Sequence, residues 1–106
     1  MSDEVQVLLC TAPAAHADTL AATLVEERLA ACVNLLPVRS VYRWEGRVEH
    51  AEEVLMILKA PRSQVAALRA RLLDLHPYDL PEVLALSVDS EGSHRPYLDW
   101  VLGLQD

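Results

Sequence analysis

The sequence predicts one α+β domain in which strands and helices follow the order βαββαβ, with a short helix at the end. Short apolar runs rich in β-branched residues alternate with stretches whose apolar residues recur at helical spacing. A Glu45-Gly46 pair joins two long extended runs, as in a hairpin. Because 106 residues suffice for only one hydrophobic core, we expect residues 1–106 to form a single domain.

The first half of the chain predicts a strand, a helix and a hairpin. The run VQVLLCT, residues 5–11, ends before Pro13 and is typical of a strand. Apolar residues share a helical stripe within 17–29. Residues 32–44 and 47–59 form the hairpin strands, the first interrupted at Pro37. Since Pro37 cannot donate a ladder hydrogen bond, its strand is expected at a sheet edge or a bulge.

The second half predicts a helix, a strand and a closing helix. Pro61 can occupy a first helical turn, and the apolar stripe behind it ends at His76-Pro77, where proline forbids continuation. The run EVLALSV, residues 82–88, is typical of a strand. A polar loop then leads to a short helix over 97–104.

This order is the ferredoxin-like sandwich, in which the first and third strands are central and the other two are edges. Strands three and four are apolar on both faces, yet two helices can cover only one face. The hairpin strands are about twice as long as the others, so their tip must project beyond the sheet. Such a bare face and arm predict a homo-oligomer.

Composition excludes several classes of function. A net charge of −7 and a pI near 4.9 disfavour nucleic acid and anionic membranes as partners. The acidic N-terminus and the short apolar run behind it predict a cytoplasmic protein, so Cys10 and Cys32 are expected as reduced thiols. No known catalytic motif is present, and we expect a binding protein with no catalytic residue rather than an enzyme.

Six segments in one order resemble the divalent-cation tolerance (CutA) family. They are VLLCTAP, LVEERLAACVN, SVYRWEG, EEVLMILK, LHPYDLPEVLAL and YLDW. The resemblance implies a cytoplasmic homotrimer, similar in shape to PII signalling trimers, that binds copper and other divalent metals. It places the copper ligands at Cys10 and His76. Some members carry a second His where this chain has Leu75, and the chain is one residue shorter than usual after Pro37.

The predicted topology brings Cys10 and the HPYDLPE segment, residues 76–82, to the same end of the sheet. Asp79 and Glu82 are candidates to complete a metal site there. Cys32 is expected about 20 Å away, too far for a disulfide with Cys10. The alternative is structural: a small buried residue at position 10 and a helix C-terminal residue at position 76.

Aromatic residues predict a second candidate site on the hairpin. Tyr42 and Trp44 share one face by their two-residue spacing, and Tyr78 lies in a loop. Such residues commonly pack between subunits. The alternative function is a PII-like signalling or scaffold trimer whose clefts bind a small molecule or a protein, with incidental metal binding. The polar residues predicted to line such a cleft are Arg43, Glu53 and Lys59.

Overall fold

The computed structural model describes residues 3–104, and its elements follow the predicted order. In chain order they are β1 (Val5–Ala12), α1 (Ala14–Glu26), β2 (Cys32–Trp44), β3 (Arg47–Pro61), a turn of 3₁₀ helix (Arg62–Gln64), α2 (Val65–Leu75), β4 (Leu84–Ser87), α3 (Arg95–Asp99) and a π-helical turn (Trp100–Leu104). No helix within residues 3–104 has the length and apolar character needed to cross a membrane.

The sheet is antiparallel throughout, and its strand order is β2-β3-β1-β4. The first and third strands are therefore central, as predicted. Pro37 lies on the edge strand β2, opposite Val54, within one continuous register that runs along the whole hairpin. An edge strand needs only some of its N–H groups for pairing, so Pro37 neither interrupts β2 nor requires a bulge.

Several element boundaries differ from the prediction by one to three residues, and two of these differences have a local reason. The first helix was predicted to reach residue 29 but ends at Glu26, because Arg28 adopts a positive φ of 61°. The N–H groups of Leu29 and Ala30 then donate to the Leu24 carbonyl and close the helix end. The fourth strand was predicted over 82–88 but spans only Leu84–Ser87, where it pairs with β1.

One face of the sheet, the closed face, packs against α1 and α2. Side chains alternate along a strand, and those of Leu8, Cys10 and Met56 are fully buried in this layer. Leu24 of α1 and Leu68 of α2 are fully buried against them. The main core therefore lies between the sheet and these two helices.

The opposite face, the open face, is covered only at one end. There Val5 packs against Leu98 and Val101 of the C-terminal segment. Toward the other end, Leu36, Leu84 and Leu86 remain 51%, 54% and 47% exposed. The cross-strand pairs of the open face are Leu9 with Leu84, Val7 with Leu86 and Leu36 with Leu55.

The hairpin extends past the sheet as an arm, residues 38–53. Seven register pairs, from Val38–Glu53 to Trp44–Arg47, continue beyond the last residue of β1. At about 3.3 Å per residue, this arm projects roughly 23 Å. Glu45 and Gly46 both have positive φ, 50° and 79°, as a tight two-residue hairpin turn requires.

Candidate cation site and cleft at the base of the arm

Cys10 and His76 meet at one end of the sheet, as the topology predicted. Cys10 lies near the end of β1, where it pairs with Met56. The helix α2 stops at His76 because the residue before a proline is driven to an extended conformation, and its ψ is 137°. His76 is only 7% exposed and Cys10 is fully buried. The helix stop therefore fixes an imidazole beside a buried thiol.

Both side chains hydrogen-bond to the backbone carbonyl of Thr11. The Cys10 thiol donates to this oxygen at 3.6 Å, and His76 Nε2 lies 2.8 Å from it. His76 Nδ1 accepts a hydrogen bond from the Tyr78 backbone N–H at 3.1 Å. An acceptor at Nδ1 places the proton on Nε2, so His76 is a neutral imidazole with both nitrogens engaged.

The thiol of Cys10 is held in its protonated form. Burial raises its pKa to about 12, and the negative charges of Glu82 and Glu53 add to the effect. A metal ligand must be the thiolate. Copper binding by Cys10 therefore requires displacement of a strongly held proton.

The single chain holds no ready-made ligand set. Within residues 3–104, no group of three or more His, Cys, Asp and Glu side chains is arranged to hold a metal. The chemistry of the pair suits copper, since thiolate and imidazole are the ligands that copper prefers. The present state of the pair does not suit an ion, because His76 must first release a hydrogen bond and Cys10 must release a proton.

A cleft of about 770 Å³ lies beside this pair, on the open-face side of the arm base. It brings together six residues that the sequence assigned to two separate groups, the metal site and the hairpin surface. Its walls are formed by Thr11, Ser40, Val41, Tyr42, Trp44, Glu53, Pro77, Tyr78, Asp79, Leu80 and Glu82.

Tyr78 connects the imidazole to the cleft. Its hydroxyl donates to Glu53 Oε2 at 2.8 Å, and its ring lies 4.8 Å from the ring of His76. Burial and the Glu53 carboxylate raise the pKa of Tyr78 to about 12, so the phenol stays a neutral donor. Sequence reasoning missed this bond because 25 residues separate the partners and no local pattern pairs them.

Lys59 does not join this group. It lies opposite Cys32, donates to Asn34 Oδ1, and its Nζ is 3.9 Å from Cys32 Sγ. Six residues along β3 separate it from Glu53, which is about 20 Å. Arg43 is likewise absent from the cleft walls. No Lys or Arg is among the described residues that line the cleft.

The two cysteines lie nearer to each other than predicted. Cys32 is level with Val7 rather than with the far end of the sheet, because both are register neighbours of Lys59. Three residues and two strand spacings separate it from Cys10, about 14 Å instead of 20 Å. Both thiols are free, and that distance still exceeds the span of a disulfide.

The family model described as CutA1 divalent ion tolerance protein matches residues 6–103. The chain belongs to this family. It is 46% identical over 98 residues to the divalent-cation tolerance protein CutA of Thermus thermophilus, covering 91% of this chain and 93% of that one. It is 50% identical over 97 residues to the CutA of Pectobacterium atrosepticum, covering 90% and 86%.

Solved structures of CutA proteins share the fold. The PII-like protein CutA of a Nostoc species, in apo form, superimposes with a TM-score of 0.90 at 41% identity, covering 92% of this chain and 94% of that one. The CutA1 of Thermus thermophilus gives a TM-score of 0.87 at 43% identity, covering 92% and 95%. The predicted family resemblance and the α+β architecture are therefore confirmed.

Proposed function

We propose that this chain forms a homotrimer that binds copper and other divalent metals, and so serves the cation tolerance for which its family is named. One observation carries the proposal: Cys10 and His76 converge on the same Thr11 carbonyl oxygen. A sulfur and an imidazole nitrogen that share one acceptor lie close enough to reach one ion after a small movement. The function is binding, and no catalytic step is assigned.

The cleft supplies candidate oxygen ligands for the same ion. Glu53 and Glu82 act on the charge state of Cys10, so both lie within electrostatic reach of the thiol. Asp79 lines the cleft with them. A neighbouring subunit of the trimer is the other source of ligands. The cytoplasmic location that we propose keeps both thiols reduced and favours Cu(I) at a sulfur ligand.

Ligation through His76 Nε2 would change the turn that follows α2. The imidazole proton would move to Nδ1, which then could no longer accept the hydrogen bond from the Tyr78 N–H. Tyr78 also holds Glu53 through its hydroxyl. A metal at this pair would therefore loosen the wall of the cleft, which couples metal binding to the surface of the arm.

The open face and the arm support the assembly, and the number three comes from the family resemblance. Leu36, Leu84 and Leu86 expose about half of their surface on the open face. On the arm, Val41 and Val48 are 63% and 57% exposed. Contiguous apolar surface of this kind is typical of an obligate subunit interface.

A Cu(I) competition titration against a chromophoric chelator tests the metal site. We expect about one ion per chain, and at least a tenfold loss of affinity, ~1.4 kcal/mol, in Cys10→Ser/His76→Asn. Because binding displaces the Cys10 proton, the native affinity should rise about tenfold for each pH unit between 6 and 8. Cys32→Ser/His94→Asn, with the other thiol and an exposed imidazole, is the matched control.

The result would contradict the copper proposal if the Cys10/His76 variant competes as well as the native chain. An equal loss in the control pair would also contradict it, since any accessible thiol and imidazole take up copper. In either case small-molecule binding in the cleft would be the remaining candidate function.

The second candidate is a PII-like trimer whose cleft binds a small molecule. The aromatic walls of the cleft favour it, since Tyr42, Trp44 and Tyr78 supply apolar rings beside polar groups. The Nostoc relative is itself described as PII-like. A thermal-shift screen of metabolites, repeated on Trp44→Leu, tests it. A stabilising compound whose effect disappears in the variant would support this function.

A further inference from the structure

The chemistry of the cleft walls defines the class of ligand that they can hold. Three aromatic side chains and three carboxylates face the same space, without a basic side chain among the described lining residues. They are Tyr42, Trp44, Tyr78, Glu53, Asp79 and Glu82. A volume of about 770 Å³ falls in the range of sites for small organic molecules.

The electrostatics of the cleft disfavour an anion. Glu53 is only 8% exposed and lies at the wall, so its charge is weakly screened. The hydroxyl of Tyr78 is neutral, since burial and Glu53 raise its pKa to about 12. The whole chain carries a net charge of −7. None of the described lining residues is a cation that could pair with a phosphate or carboxylate ligand, and Arg47, opposite Trp44 on the neighbouring strand, lies outside the walls.

The aromatic rings distinguish between kinds of cation. In the single chain Tyr42 and Trp44 are each 44% exposed and Tyr78 is 37% exposed, so their rings line an open cleft that the proposed trimer would place beside a neighbouring subunit. A small hydrated metal ion gains little from such rings, because it binds oxygen donors through its water shell. An alkylated ammonium group is weakly hydrated and is attracted by the negative faces of Trp and Tyr rings.

We propose that this cleft binds an organic cation that carries an alkylated ammonium group. The ammonium group would lie against the rings of Tyr42 and Trp44 and close to the carboxylate of Glu82. The inference rests on the second candidate function, small-molecule binding in the cleft. It adds the ligand class, and it separates this cleft from sites built for nucleotides, which need basic or glycine-rich phosphate contacts.

The test compares two probes of nearly the same shape and different charge, and ATP is titrated as an anionic third probe. Choline and its neutral carbon analogue 3,3-dimethyl-1-butanol are titrated into the chain of residues 1–106 in its native oligomeric state. Binding is followed by backbone amide NMR shifts, with sodium chloride added to match ionic strength. We expect choline to shift the amides of residues 40–44 and 78–82, with at least fivefold tighter binding than the neutral analogue.

Two variants and one control assign the effect to the cleft. Trp44→Leu removes an exposed ring, and Glu82→Gln removes an exposed charge without changing shape. Each should weaken choline binding at least threefold. Glu91→Gln makes the same charge change in the loop after β4, at the opposite end of β1 from Thr11, and should leave binding unchanged.

Three results would overturn the inference. Equal affinity for choline and the neutral analogue would show that charge is not recognised. Tighter binding of ATP at the same amides would replace the organic cation with an anion and leave the small-molecule function standing. If neither choline, the neutral analogue nor ATP shifts the cleft amides, both the inference and the small-molecule function fail.

Discussion

The two faces of the sheet carry similar apolar side chains but have opposite surroundings. On the closed face, Leu8 is fully buried beneath α1 and α2. On the open face, Leu84 and Leu86 pair with the flanking residues Leu9 and Val7, yet remain about half exposed. The chain thus completes one layer of its core by itself and leaves the other layer about half exposed.

This contrast separates the layer that stabilises the chain from the surfaces that the proposed assembly and small-molecule binding would use. The closed face accounts for the folding of the monomer, because it removes apolar surface from water without help. The open face, the arm and the cleft lie together on the other side. The turn at residues 76–82 crosses between them, and Tyr78 in this turn bonds to Glu53 on the arm.

The largest expected effect comes from charging the open face. Leu84→Glu/Leu86→Glu should convert the proposed trimer to monomers, lowering the particle mass about threefold in light scattering, because apolar interfaces exclude unpaired carboxylates. Leu73→Glu on α2, at the same 47% exposure as Leu86, is the control and should leave the assembly intact. A double variant that keeps the native mass would remove the open face from the interface.

The next largest effect is a loss of stability, which should differ between a closed-face residue and an exposed one. Leu8→Ala should lower the free energy of unfolding by about 2–5 kcal/mol, because it leaves a cavity in a fully buried layer. Leu80→Ala, at 72% exposure, should change it by about 0.5 kcal/mol or less. Urea titrations at one fixed protein concentration measure both. Similar losses in the two variants would show that the faces do not differ in this way.

A smaller effect is expected where the chain crosses between the faces. Tyr78→Phe should cost about 1–3 kcal/mol of unfolding free energy, because it leaves the buried Glu53 carboxylate without its donor. Tyr97→Phe is the matched control, since its hydroxyl hydrogen-bonds to the sulfur of Cys32 rather than to a buried carboxylate. If the control loses as much as Tyr78→Phe, then the bond to Glu53 has no special role.

The smallest expected effect is a pH dependence of the unfolding free energy, caused by the buried thiol of Cys10 on the closed face. The unfolded chain releases the Cys10 proton near its ordinary pKa of 9.0, whereas the native chain holds it to about 12. The native state then binds more protons, so stability should fall above pH 9 by up to ~1.4 kcal/mol per pH unit.

Urea titrations between pH 7 and 10 measure this slope. Cys10→Ser should flatten it, because serine has no proton to release there. Cys32→Ser should keep it, since Cys32 is only partly buried. An unchanged slope in Cys10→Ser would assign the alkaline loss of stability to other groups.

Much of the fold could be predicted because its signals are local. Short apolar runs mark the strands, the apolar stripes mark α1 and α2, and Pro77 stops α2 where expected. The end of α1 could not be predicted, because it depends on the positive φ of Arg28. The ends of β4 could not either, since only pairing with β1 defines them.

The candidate site likewise has features that the sequence predicts and features that only the structure shows. The meeting of Cys10 and His76 followed from strand order, which the sequence predicts. The bond from Tyr78 to Glu53, and the neutral state of the His76 ring, depend on how the turn crosses the sheet. Lys59 was predicted to line the cleft beside Glu53, but six residues of β3, about 20 Å, separate the two.

By itself, the sequence determined the family, the order of elements and the presence of an uncovered apolar face. These follow from periodicity, from proline and glycine, and from motifs that lie within short segments. Only the tertiary structure decided that carboxylates and aromatic rings share one cleft and that the thiol of Cys10 keeps its proton. The reason is physical: burial and charge proximity depend on residues far apart in the chain, and only packing brings those residues together.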